Sequence, residues 1–584
     1  MNEVWNLDPI YKGFDDPAFE ADLARGKEKM AEFTAFAASL AEADPAQALL
    51  KGVELEEEIE ELVNKLGLYA SLRQSANTRD PEAASQMGRL MAVYSGMAAP
   101  EAAFEAWIAK LPDLEAIIAG NEKLQEYRYM LGRIVDSSRY LLPGRGEEIM
   151  ARMRLSGGSA WSDLQGYLTS TVPVSYNGET TNLSTIRNLA YDPNPAVRKA
   201  AYEAEIAAYD RIKDAVAFAL NSIKLETISD CKLRGHASPL SRTLKHSRME
   251  QETLDAMLGA MDEYLPKFWQ YMKAKGKALG HENGLPWYDM FAPMGASSTK
   301  YTVQEARDLL VKLFSTFDSE LADMVAKAFD DAWIDFYPRD GKSGGAFCAG
   351  ADCLQESRIL TNFDGMFTDV VTLAHELGHA FHNQCIKNHR PLNKNYSMPV
   401  AETASTFNEC VVMAAAISAA ESDDERLALI ESQLQDATQI ICDIYSRFRF
   451  EAMVFENREE KFMNADALCG FMTKAQEQSY GDGLDHSCMH PYMWVCKSHY
   501  YGPTFYNFPY AFGGLFARGL YAQYLEEGEA FVPKYKKLLY TTPVASVEDT
   551  AKVADIDLTD KNFWRSALQT IADQIDLFCQ LVGE

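Results

Sequence analysis

Residues 368–385 read TDVVTLAHELGHAFHNQC, and two patterns in this stretch constrain each other. Val370, Leu373, Ala374, Leu377, Ala380 and Phe381 recur at helical spacing, which predicts a mostly buried helix. His375, Glu376 and His379 sit on that same helix as H-E-x-x-H. Residues four apart on a helix are rotated by only about 40° and lie about 5 to 6 Å apart, so both imidazoles can face one ion. Glu376, one position on from His375, then reaches a metal-bound water rather than the metal. With this chain's own content of His and Glu, such a motif arises by accident in roughly one such chain in a hundred. A pair of hydrogen-bonded core histidines is the plainer alternative.

A catalytic zinc takes three protein ligands and keeps one open position, so one ligand remains to be found. Three residues compete for it. His382 lies one further turn along a straight helix and would have to bend back, so it reads as a supporting or structural residue. The third histidine of H-E-x-x-H-x-x-G-x-x-H is absent after His379, where the chain continues FHNQC. Glu402 is the better candidate: Pro391, Pro399 and several asparagines end the first helix before AETASTFNECVVMAAAISAA begins a second, which can fold back on the first. Glu409 follows Glu402 by seven residues, only about 20° away around a helix. With Glu402 on the metal, Glu409 is placed to accept the outer N–H of a ligand histidine and fix its tautomer. A solvated acidic face is the alternative, but the rest of that helix is strongly apolar.

The remainder of the chain reads mainly as helix. From Phe14 to Gly120, apolar residues at three- and four-residue spacing within Ala-, Leu-, Glu- and Lys-rich sequence predict antiparallel helices. TSTVPVSYNGETTNL then predicts a hairpin around Asn177-Gly178. Helical pattern returns over 194–228, 247–279 and 302–332. Between Trp333 and Asp364, β-formers and glycines predict a second non-helical element just before the H-E-x-x-H helix. An aromatic, turn-rich interval runs from Tyr480 to Tyr510.

Acidic residues outnumber basic ones 85 to 56, for a net charge of -29, which disfavours nucleic acid and anionic membranes as partners. The start, MNEVWNLDPIYKGFDD, lacks the basic and apolar regions of an export signal. Val411 to Ala420, among the most apolar runs, is about half the roughly 20 residues a bilayer requires. Ten scattered cysteines without a C-x-x-C pair point to reduced thiols and a cytoplasmic location, although Cys348 and Cys353 are close enough to invite pairing.

HELGHAFH followed by AETASTFNE resembles the M3 family of metallopeptidases, in particular its oligoendopeptidase F branch. RDGKSGGAF, ILTNFDGMFTDVVTLAHELGHA, WYDMFAPMG, YDPNPAVRKAAYEA and the opening WNLDPIY are also similar to that branch, so the likeness runs nearly the whole length. The resemblance implies a mainly α, two-lobed helical zincin of the gluzincin type, with a small β element before the zinc helix and a deep substrate channel. It implies an N-terminal helical region over 1–190 and a catalytic region over 191–584. It implies one Zn2+ held by His375, His379 and Glu402, with Glu376 as general base, and hydrolysis of internal bonds in short peptides. The family also places a histidine and tyrosines facing the substrate, for which HYYGPTFYNFPYAFGG offers His499, Tyr506 and Tyr510, with Tyr500 and Tyr501 as competitors and a plain aromatic core patch as the alternative. Gly344, Gly345 and Ala346 in GKSGGAF form an edge able to pair its backbone with an extended peptide, or else a flexible turn. Two other readings stand beside this one: a zinc carboxypeptidase, which needs a basic residue to grip a free substrate carboxylate, and a non-catalytic peptide-binding scaffold.

Overall fold

The computed structural model describes residues 3–295 and 299–583. Its first long helices, α1 (Pro17–Ala38) and α2 (Pro45–Ala76), start on the same device. An aspartate accepts the N–H of the first turn, Asp16 from Ala18 and Asp44 from Gln47, and a proline that needs no donor follows it. Further helices complete this N-terminal layer up to Thr171. The opening residues Trp5, Leu7, Ile10 and Tyr11 pack into it beside Phe19 and Tyr69, and Tyr11 Oη donates to Asp22 over 2.6 Å.

The hairpin forms where Asn177-Gly178 predicts it. Strands β1 (Val174–Tyr176) and β2 (Glu179–Thr181) pair antiparallel, Tyr176 opposite Glu179. Both turn residues have positive φ, 51° and 82°, as a tight two-residue turn requires.

Two of the expected helical stretches are each divided. The 194–228 stretch breaks at Arg211-Ile212 between Pro195–Asp210 and α3 (Lys213–Arg234). The 302–332 stretch breaks before Asp318, whose carboxylate accepts the N–H of Glu320 and starts a new helix. Local capping overrides continuous apolar periodicity at such points. Helix α4 (Gln251–Ala278) runs unbroken despite Pro266.

The second non-helical element is a three-stranded sheet in the order β3 (Ile334–Asp335), β5 (Glu356–Leu360), β4 (Phe347–Ala351). β3 runs parallel to β5, and β4 pairs antiparallel to it with Phe347 opposite Leu360, leaving β4 at the edge. The loop before β4 is tied down from below: buried Lys342 donates to the Asp335 carboxylate over 2.7 Å and to the carbonyls of Tyr337 and Thr361. It is also stitched to the end of α2. Thr78 N–H donates to Gly341 O, Ser343 N–H to Ser75 O, and Arg339 to Ala76 O.

After the sheet the chain is helical again: α5 (Phe367–Ile386), α6 (Thr403–Ala419), α7 (Asp423–Thr438), α8 (Ile444–Arg458), α9 (Phe508–Glu527) and α10 (Lys561–Leu581) are among the long members. All six apolar positions read from the periodicity of α5 are buried. They belong to one large core that also takes in α4, α9 and α10. All ten cysteines are free, Cys348 and Cys353 included. Among the described residues no helix is long and apolar enough to cross a membrane.

Candidate metal centre

The helix carrying the histidines is fixed at its start. The Asp369 carboxylate accepts the N–H groups of Asp364 and Met366, and Asn362 donates to Ser343 O and Gly345 O, so the glycine-containing loop and α5 are held by the same turn. Two turns on, the rings of His375 and His379 lie 4.9 Å apart at 80°. The Nε2 atoms of both are 3.3 Å from one oxygen, Oε2 of Glu402. Two imidazole nitrogens and a carboxylate oxygen, all within 4.8 Å of one another, form a donor set that suits a borderline cation such as zinc.

Glu402 is placed differently from the sequence expectation. It does not lie within the second helix but at the junction between the short helix Met398–Ala401 and α6, with φ -92° and ψ 9°. That break turns its side chain back to α5, and Ser405 Oγ donates to the same Oε2 over 2.8 Å. Glu409, inside α6, meets Nδ1 of His375. Asn408 fixes the crossing by donating to Ala374 O over 3.1 Å.

The two helices approach this closely because residue 378 is glycine. A Cβ there would lie 2.4 Å from Ala404 O, a backbone atom that cannot swing aside. Gly378→Ala is therefore expected to wedge α6 off α5. The cost is about 1 to 3 kcal/mol of stability, and retained metal after dialysis should fall with it. A variant with wild-type metal content would rule out this packing account.

Electrostatically the three donors hold one another. Burial works against a charged imidazole, but hydrogen bonds to Glu402 and Glu409 outweigh it and push His375 up to about 10. Glu402, also opposed by burial, is held well below the usual carboxylate range by His375 and His379. Glu376 differs: burial dominates and raises it.

His382 is no part of this set. It is fully buried, shares a proton with Thr542 Oγ1 over 2.8 Å through Nε2, and stacks on Tyr396 at 4.2 Å; burial pushes it down to about 3. Tyr500 and Tyr501 are buried away from the metal site, the first against Phe450 and the second donating to Trp494 O. His499, Tyr506 and Tyr510 instead form one aromatic group with ring centroids 5.5 to 5.9 Å apart. Burial, Tyr506 and the charge of Glu402 together raise Tyr510 to about 12. The group stands at the entrance to α9, whose Gly513 backs directly onto Glu402.

Two cavities flank the donor set. One, of about 800 Å³, is lined by His375, Glu376, His379 and Glu402 on one side and by Glu60, Asn64 and Ser71 of α2 on the other. The second, of about 720 Å³, opens on His375, Glu376 and Glu409 and extends toward Met413, Asp436 and Arg518. Ala346 lines both, whereas Gly344 and Gly345 form the exposed turn that leads to it. Tyr396, Asn383 and the α2 residues had no sequence signal, because their place depends on long-range contacts, which for α2 cross more than 300 positions. Arg518 could be suspected only as a cation on an otherwise apolar helix.

The description "Peptidase family M3" matches residues 188–570, and "Oligopeptidase F" matches residues 112–172. Oligopeptidase PepF of Bacillus subtilis is 23% identical over 98% of this chain and 86% of its own. An oligoendopeptidase F homolog of Lactococcus lactis is 24% identical over 99% and 97%. Among solved structures, oligoendopeptidase-F from Enterococcus faecium superposes with a TM-score of 0.71 at 18% identity, covering 97% of this chain and 99% of that one. PZ peptidase A does so with a TM-score of 0.71 at 15% identity, covering 94% and 97%. With a helical fold built around two histidines and a glutamate, and a family match over most of its length, this chain is a metallopeptidase that belongs to peptidase family M3.

Proposed function

We propose that this protein is a zinc-dependent oligoendopeptidase acting on short peptides in the cytoplasm, with one zinc ion per chain on His375, His379 and Glu402. The observation that carries the reading is the convergence of those three donors on one point, beside a buried carboxylate, Glu376, that is not among them. A zinc ion bound there supplies Lewis acidity and lowers the pKa of a water to about 7.

The chain's own residues do the rest. Glu376 takes the proton of the attacking water and later delivers it to the leaving amine; its dry surroundings and fixed helix position hold it ready. Glu409 keeps the His375 ring oriented with Nε2 toward the donor set. His499, Tyr506 and Tyr510 are the candidates to donate to the developing oxyanion, a role worth about 10²- to 10³-fold per donor. The loop 344–346, held by Asn362 and leading into edge strand β4, offers free backbone to an extended peptide. The division into an N-terminal region over 1–190 and a catalytic region over 191–584 belongs to the same reading.

An internally quenched peptide of about eight residues, blocked at both ends, tests the endopeptidase activity. Internal cleavage that is lost on chelation and restored by zinc supports it; intact peptide with fully zinc-loaded protein would overturn it.

Protons compete with zinc for His375. Because hydrogen bonds lift this imidazole to about 10 in the metal-free protein, it carries a proton throughout the neutral range and must release it on binding. Apparent zinc affinity is therefore expected to fall by about tenfold per pH unit on acidification through neutrality, and uptake should release about one proton to buffer. Glu409→Gln is expected to weaken zinc about 10- to 100-fold, as read by competition with a chromogenic chelator. Equal affinities in mutant and wild type would remove Glu409 from this role.

A further inference from the structure

Arg518 lies on α9, 9% exposed, with its guanidinium in the wall of the cavity that opens on His375, Glu376 and Glu409. Its Nε has no hydrogen-bond partner, and among the described residues the side chain forms no ion pair. A buried guanidinium cannot shed its charge, so it requires an anion or water.

Two of the four carboxylates around the same cavity are otherwise engaged. Glu409 holds His375, and Glu431 accepts from Lys275 and from Tyr271. Glu376 stands beside the donor set. Asp436 shares the wall and feels the charge of Arg518, yet it makes neither an ion pair nor a side-chain hydrogen bond with Arg518 or any other described residue. The remaining lining of the cavity mixes apolar side chains, Phe291, Val371 and Met413 among them, with polar ones such as Thr372, Ser432 and Gln435. A buried planar fork of donors without a bonded partner suits one ligand chemistry above others, a carboxylate bound through two parallel hydrogen bonds.

We propose that Arg518 grips a carboxylate of the bound peptide, terminal or side-chain, and so sets where the chain is cut relative to that group. The inference rests on the peptidase reading above and adds to it a specificity-determining residue. It also joins two readings left apart by the sequence: a basic residue for a substrate carboxylate is present, but across a cavity from the donor set rather than in place of endopeptidase action.

The test uses the zinc-loaded full chain and matched peptide pairs that differ in one group: carboxy-terminal acid against amide, and Glu against Gln at each position flanking the cut bond. Wild type is expected to favour one carboxylate member by about 10- to 100-fold in kcat/KM, mainly through KM. In Arg518→Met, of similar length without charge, that ratio should collapse to about one; Arg518→Lys should keep part of it. The terminal pair and the side-chain pairs tell the two sources apart. A wild-type ratio near one in every pair overturns the inference without reference to any variant, as does a preference that survives Arg518→Met. If no peptide is cut at all, the peptidase reading fails instead. The inference is then decided by anisotropy of labelled acid and amide peptides on zinc-loaded Glu376→Gln, where equal affinities would end it.

Discussion

Glu376→Gln is expected to lower kcat/KM by about 10²- to 10⁴-fold while zinc content stays at the wild-type level. The substitution preserves shape and removes only the ability to take a proton. Glu376 is buried on α5 between the two histidines in sequence, yet its carboxylate is not among the three atoms that converge. Metal retention and proton transfer should therefore separate cleanly. Metal analysis beside steady-state kinetics on the blocked peptide makes the comparison. A zinc-loaded variant with more than a tenth of wild-type activity would remove Glu376 from the role of general base, and a variant that loses zinc would show that it also supports the site.

Glu451→Ala is expected to cost about 3 to 5 kcal/mol of stability and to loosen the aromatic group at a distance. Glu451 on α8 is 1% exposed and receives Lys224 of α3 over 2.6 Å, the N–H of Phe505 and the side-chain amide of Asn507. Removing it strands a lysine ammonium in the core and leaves two donors unmet. It also frees the turn in which Phe505 is held at φ 51° and from which Tyr506 projects. The urea midpoint should fall sharply, with faster amide exchange over 504–508. Glu451→Gln, which can still accept, should recover part of the loss. An unchanged midpoint in the alanine variant would mean that the buried pair contributes nothing net.

The helix at 367–386 was legible because its chemistry and its periodicity coincide: six apolar positions define the buried face, and the spacing of His375 and His379 then follows from helical geometry. Glu402 was legible as a residue, since the proline-rich loop before it demands a reversal. Its placement at a helix junction was not, because that depends on how closely Gly378 lets α6 approach. Within HYYGPTFYNFPY, composition cannot separate Tyr500 and Tyr501 from Tyr506 and Tyr510. The separation is made by a tight turn with one left-handed residue, Phe505, held by Glu451 from another helix. The α2 wall of the cavity was invisible for the same reason: Glu60, Asn64 and Ser71 look like ordinary polar positions of an amphipathic helix until the fold brings them opposite the donor set.

The stitching of α2 to the sheet loop bears on how a peptide gets in. Two backbone hydrogen bonds, Thr78 N–H to Gly341 O and Ser343 N–H to Ser75 O, and the Arg339 side chain on Ala76 O hold the loop 339–343, and the Glu57 carboxylate of α2 accepts two more bonds from the Arg390 guanidinium, at 2.5 and 2.8 Å, just after α5. That seam locks the amino-terminal helices and the α5 layer into a single plate. Hinging there would break several of these bonds at once, whereas Tyr191 and Phe291, which pack on each other at the border of the Arg518 cavity, make no hydrogen bond to α5 among the described residues.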